Sequence, residues 1–135
     1  MTVRGRGWAG GPVPFGYLAV RDSDRGHARL VLSPTLAPVV FRLYERYAAG
    51  ASLRDLAKWL TAMGVRAPRG GMRWNASSVQ RILSNPVNRG EYRHGAEPCV
   101  VTAIVTPDLW QTAQARMERH IHQRRLDREH PYVLT

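Results

Sequence analysis

Cysteine is nearly missing from this 135-residue chain: Cys99 is the only one. One thiol forms neither an intrachain disulfide nor a multi-cysteine zinc site, so the core must hold the fold unaided, and a reducing compartment suits it. Lysine is as scarce: Lys58 alone among 20 Lys and Arg residues. A GC-rich genome, which favours Arg and Ala codons, accounts for most of that skew. No apolar run approaches the roughly 18–20 residues that span a bilayer. Arg4 and Arg6 near the N-terminus are followed by no apolar stretch, so no signal peptide is read. These absences predict a soluble, cytoplasmic protein with no membrane partner.

What is present is positive charge. Ten Asp and Glu leave a formal net charge of +10 and a pI near 11.2. Such an excess favours a polyanionic partner, because neutralising phosphates releases condensed counterions. Arginine adds a planar fork suited to phosphate and to guanine edges. An apolar share of 44% is ordinary for a folded domain, and the length suits one core.

The pattern along the chain predicts an α+β fold: a helix-rich single domain with a helix-turn-helix-like core and two small β-hairpins. Residues 1–14 read as a basic Gly/Pro-rich arm or linker, 15–120 as the domain, and 121–135 as a charged tail. Phe15–Val20 and Ala28–Leu32 flank a polar turn and predict the first hairpin. Ser33-Pro34 predicts the start of a first helix, with a start nearer Pro38 as the alternative, and Gly50 its end. Ser52 predicts the N-cap of a second helix ending at Gly64, with Leu53, Leu56, Ala57 and Leu60 as its buried stripe. An exposed connection from Val65 to Arg73 follows. Asn75 predicts the N-cap of a third helix, with Trp74 stapled on Val79, and Asn85-Pro86 closes it. Arg89–His94 and Val100–Val105 predict the second hairpin. Thr106-Pro107 opens a last helix, whose apolar pattern fades near His120.

The middle of the chain carries the functional signal. If Val79, Ile82 and Leu83 face the core, counting about 100° per residue puts Ser77, Arg81 and Ser84 outside, with Gln80 on the flank. These side chains hydrogen-bond base edges or phosphates, and none is acidic. From Arg66 to Arg93 stand six arginines, including Arg66, Arg69, Arg73, Arg81 and Arg89, against one acid, Glu91. Two amphipathic helices joined by a loop also build an ordinary core, and the connection is longer than a compact helix-turn-helix needs. The clustered arginines favour nucleic acid. The predicted DNA-binding set is Arg4, Arg6, Arg66, Arg69, Arg73, Asn75, Ser77, Gln80, Arg81, Ser84 and Arg89. Arg4 and Arg6 belong to it as a minor-groove arm, or else to a mere chain boundary.

The run Gly10-Gly11-Pro12-Val13-Pro14-Phe15-Gly16-Tyr17 resembles the entry to the recombinase domain of the large serine recombinases, the serine integrase family. The ordered series that follows is similar to it as well: Leu43-Tyr44, Ser52-Leu53, Arg69-Gly70, Trp74, Ile82-Leu83, Asn85-Pro86, Gly90-Glu91-Tyr92, Leu109-Trp110 and Gln114. The resemblance spans about Gly5 to Arg119. Val87-Asn88 departs from it, where an aromatic commonly follows Asn-Pro. It implies a bacterial or phage-encoded protein that holds a double-stranded DNA attachment half-site for strand exchange. It also implies that the nucleophilic serine lies in a resolvase-like domain absent here, with no catalytic position among Ser23, Ser33, Ser52, Ser77, Ser78 and Ser84. The last residues, Pro131-Tyr132-Val133-Leu134-Thr135, look like the approach to the family's zinc ribbon. This piece is expected to be monomeric, without cofactor or metal, and not itself an enzyme, whereas the parent is oligomeric on DNA.

The rival readings rank lower. A free-standing helix-turn-helix regulator lacks the family order, and a structured-RNA binder shares only the charge. Cys99 with His94 as nucleophile and base reads better as a small buried cysteine. His120 and His122, two residues apart, point from different helix faces and predict no metal site.

Overall fold

In the computed structural model, residues 13–21, 28–68, 71–94 and 97–129 are described. Arg4, Arg6, Arg69, His130 and residues 131–135 lie outside that set. The elements run β1 (Tyr17–Arg21), β2 (Ala28–Leu32), α1 (Ala37–Ala48), α2 (Leu53–Ala62), α3 (Ala76–Ser84), a short 3-10 helix (Pro86–Arg89), β3 (Glu91–His94), β4 (Glu97–Val100) and α4 (Pro107–Glu129). The two antiparallel hairpins, β1-β2 and β3-β4, are separate two-stranded sheets. The fold is α+β and helix-rich, as its patterning predicts.

The core sits between the helices. Val40, Leu43, Tyr44 and Tyr47 of α1 meet Leu56, Ala57 and Leu60 of α2, Val79, Ile82 and Leu83 of α3, and Ala113 and Met117 of α4. Each fully buried Leu or Val here stabilises by about 1.5–3 kcal/mol. Tyr17, Leu30 and Val87 make a smaller cluster that seats the first hairpin. The Tyr17 hydroxyl donates to the carbonyls of Val87 (2.9 Å) and Thr102. Burial pushes its pKa up to about 12, so the donor proton stays in place near neutral pH.

Asn88 is the polar centre of the core. Its side-chain amide donates to the Ile82 carbonyl (2.8 Å) and to the Tyr44 hydroxyl (3.1 Å). Tyr44 in turn donates to the Leu83 carbonyl at 2.9 Å, and burial raises its pKa well beyond the ordinary tyrosine value. The main-chain carbonyl of Asn88 accepts from the N–H groups of Ile104 and Val105.

Two boundaries differ from the sequence expectation, and a third falls to one of the two alternatives it offered. Helix α1 starts at Ala37, with Pro38 in its first turn, so the alternative start nearer Pro38 holds and the one at Ser33-Pro34 does not. An earlier start would put Pro38 inside the helix, where its ring meets the carbonyl of residue i−4. Ser33 instead closes the preceding turn, its hydroxyl accepting from the Leu36 N–H at 3.0 Å. The second hairpin pairs Glu91–His94 with Glu97–Val100, so Val100–Val105 is not its second strand. The N–H groups of Ile104 and Val105 are drawn to Asn88, and Val105 is buried in the core. The last helix continues past His120 to Glu129, beyond the end of the apolar pattern.

Gly16 shows how tightly the first hairpin is seated. Its φ is +99°, and a Cβ there would stand 3.0 Å from both Ile104 Cδ1 and Val40 Cγ2. Gly16→Ala is therefore expected to cost about 1–3 kcal/mol, read as a lower urea midpoint at unchanged slope.

Candidate nucleic-acid interface

Local capping fixes the helix that matters. Asn75 Oδ1 accepts from the Ser78 N–H (2.9 Å), and Ser52 Oγ accepts from the Asp55 N–H (3.0 Å), so α3 and α2 start where the sequence predicts. The connection between them is pinned at both ends. Trp74 donates from its indole to the Val65 carbonyl (2.8 Å) and from its main chain to Thr61 Oγ1 (3.1 Å). Its ring meets Phe15 edge to face at 5.3 Å. The long connection is thus tied to the core and sets where α3 begins.

With Val79, Ile82 and Leu83 inside, α3 turns Ser77, Arg81 and Ser84 outward and leaves Gln80 half-buried on its flank. The outer face is free of acids. A groove of about 540 Å³ runs beside it, walled by Val13, Pro14 and Phe15, by the connection at Ala67 and Pro68, and by α3. Arg73, Asn75 and Arg81 all line this groove. Among the described residues, neither Arg73 nor Arg81 has an ion-pair or hydrogen-bond partner. Both guanidinium forks line this groove and, among the described residues, none of their donors is spent internally, which suits them to an anion. Arg66 is exposed on the same connection.

Several members of the sequence-predicted set are occupied, Arg66 among them. Arg89 stacks 4.2 Å over the Trp110 ring and pairs with Glu91 at 2.7 Å. Ser84 Oγ contacts Met117 Sδ at 3.7 Å, so it abuts α4. Asn75, which lines the groove, spends its carbonyl oxygen on the helix cap and has its amide nitrogen left as a donor. Residues 13–15 and Asn85 also line the groove, although none of them is in the predicted set. The signal available for 13–15 is their place in the apolar Pro-Val-Pro-Phe entry run, which a reading of residues 1–14 as an arm sets aside. Among the described residues, no three His, Cys, Asp or Glu side chains gather as metal ligands. No helix among the described residues is long and apolar enough to cross a membrane.

Comparison places this geometry among known folds. A structure described as an LSR–DNA complex superposes with a TM-score of 0.61 at 16% identity, covering 83% of this chain and 34% of that one. A structure from work on the sequence requirements of the Listeria innocua prophage attP site gives 0.63 at 16% identity, covering 86% and 47%. At this identity the likeness is one of fold, and the chain spans less than half the length of either. No curated protein matches the sequence. Residues 34–120, well over half of the chain, match the recombinase family, and the chain belongs to that family, the large serine recombinases that its sequence resembles.

Proposed function

We propose that this chain is the part of a large serine recombinase that grips one half of a double-stranded DNA attachment site. Helix α3 lies in the major groove, and the 65–73 connection follows the phosphates. The observation that carries this reading is the acid-free outer face of α3 beside a groove lined by both Arg73 and Arg81, neither of which has a partner among the described residues. The DNA complex and the attP-site work among its structural neighbours support the same partner. Arg4, Arg6 and Arg69 are further DNA contacts in this reading. The chain binds as a monomer, and assembly on DNA belongs to the longer parent.

Strand cleavage belongs to a catalytic serine elsewhere in the parent, so these 135 residues bind DNA and leave it intact. Supercoiled plasmid carrying the bound site is expected to keep its topology when incubated with the purified chain. Nicking or relaxation would place chemistry inside this domain. Selection from a pool of short random duplexes is expected to return one asymmetric consensus, whereas a matched RNA pool returns none. Enrichment of RNA instead would sink the proposal.

A further inference from the structure

Helix α4 does more than close the core. Gln114 Nε2 donates to the carbonyl of Leu83, on the buried side of α3, at 2.6 Å. One turn later Met117 Sδ meets Ser84 Oγ, on the outward side of α3, at 3.7 Å. Between these residues α4 crosses from the inner to the outer face at the end of α3. Beyond Met117 it leaves the body, and residues 118–128 are all exposed. An unsupported helical extension of this length is marginal in water, even with the Gln123–Asp127 bond (3.0 Å) along its surface.

The extension also changes character along one stripe. Counted at about 100° per residue, the side that carries the buried Ala113 and Met117 continues through Ile121, Arg124 and Arg128. The stripe turns from apolar to basic where the helix leaves the core. Glu118 and Asp127 fall to either side of it, and Arg119 points away. Arg124 and Arg128 sit about 10 and 16 Å beyond Met117 along the axis. The major groove is about 12 Å wide, so a helix lying in it has a phosphate strand within that reach.

We propose that Arg124 and Arg128 form a second phosphate grip, on the strand flanking the groove that α3 enters. This rests on the DNA-binding reading above and names a further contact surface for the same duplex. The contact is to backbone only, so it adds affinity on any sequence and contributes nothing to base choice.

The test is the salt dependence of binding to a random-sequence DNA duplex, with Arg124→Ala/Arg128→Ala compared with the unsubstituted chain and with Arg119→Ala from the far side of the same helix. Each lost phosphate contact lowers the log–log salt slope by about 0.9. The double substitution is expected to lower it by about 1.8 and to weaken random and selected duplexes by the same factor. Arg119→Ala leaves the slope unchanged. Alanine favours helix, so circular dichroism of the variants is expected to match that of the parent chain. An unchanged slope in the double variant, with the unsubstituted chain still binding, overturns the second grip alone. A drop of about 0.9 with Arg119→Ala, the same per charge removed, overturns it too, since the effect would then be net charge. Failure of the unsubstituted chain to bind any duplex overturns the DNA reading itself.

Discussion

Replacing Arg81 with alanine is expected to cost about 1–3 kcal/mol of affinity for the selected duplex and far less for a random one. Arg81 stands at the middle of the outer face of α3, one turn after Ser77, and it lines the groove beside Arg73. No partner inside the domain holds it among the described residues, so its fork is available to the O6 and N7 acceptors of guanine. Two outcomes separate base reading from phosphate contact. If Arg81 reads a base, specificity relaxes at one position of the site. If it touches phosphate, both affinities fall together and the salt slope drops by about one unit. The fold is expected to survive, because the side chain is exposed and buries nothing. Unchanged binding to both duplexes would move the main contact to Arg66 and Arg73 on the connection.

The largest loss of stability is expected at Trp74. Truncation to alanine removes a side chain only 5% exposed, empties the space against Phe15 and orphans the Val65 carbonyl. Cavity and transfer terms together cost about 3–5 kcal/mol, a large fraction of what a domain of this size has in hand. Thermal or urea unfolding checks this directly. Trp74→Phe keeps most of the packing and loses the indole bond, so it is expected to cost about 1–2 kcal/mol. Because Trp74 pins the connection immediately before α3, the alanine variant is also expected to bind DNA more weakly at temperatures where it remains folded. A chain that keeps both full stability and full affinity without Trp74 would show that the connection is held by something else.

Local chemistry made the caps and cores of α2 and α3 readable in advance. Ser52 and Asn75 bond the first turns of their own helices, and the apolar spacing needs no distant partner. The boundaries that misled are those decided from afar. Val100–Val105 is rich in β-branched residues like a strand, yet its last N–H groups bond to Asn88, which no local pattern foretells. The exposed half of α4 escaped because apolar periodicity detects burial and is silent about a helix in solvent. Arg89 looked available in the sequence, but the ring it stacks on belongs to Trp110, far along the chain. Charge clustering located the basic surface. It could not tell the arginines that face out from those spent on the domain itself, such as Arg116, which donates to the carbonyls of Tyr47, Gly50 and Ala51 at the end of α1.

Asn88 governs how the domain comes apart. Its side chain joins Tyr44 of α1 to the last turn of α3, and its carbonyl holds the stretch leading into α4. Peeling any one of these pieces away strands buried polar groups in the others, at a cost of about 1–3 kcal/mol for each group left unpaired. Opening confined to one of these three pieces is therefore disfavoured, and the parts of α1, α3 and the 104–105 stretch that meet at Asn88 are expected to open together. Around this polar centre the packed parts of α1 and α3 and the stretch leading into α4 resist opening one at a time, whereas the exposed end of α4 lies outside that network and is free to fray.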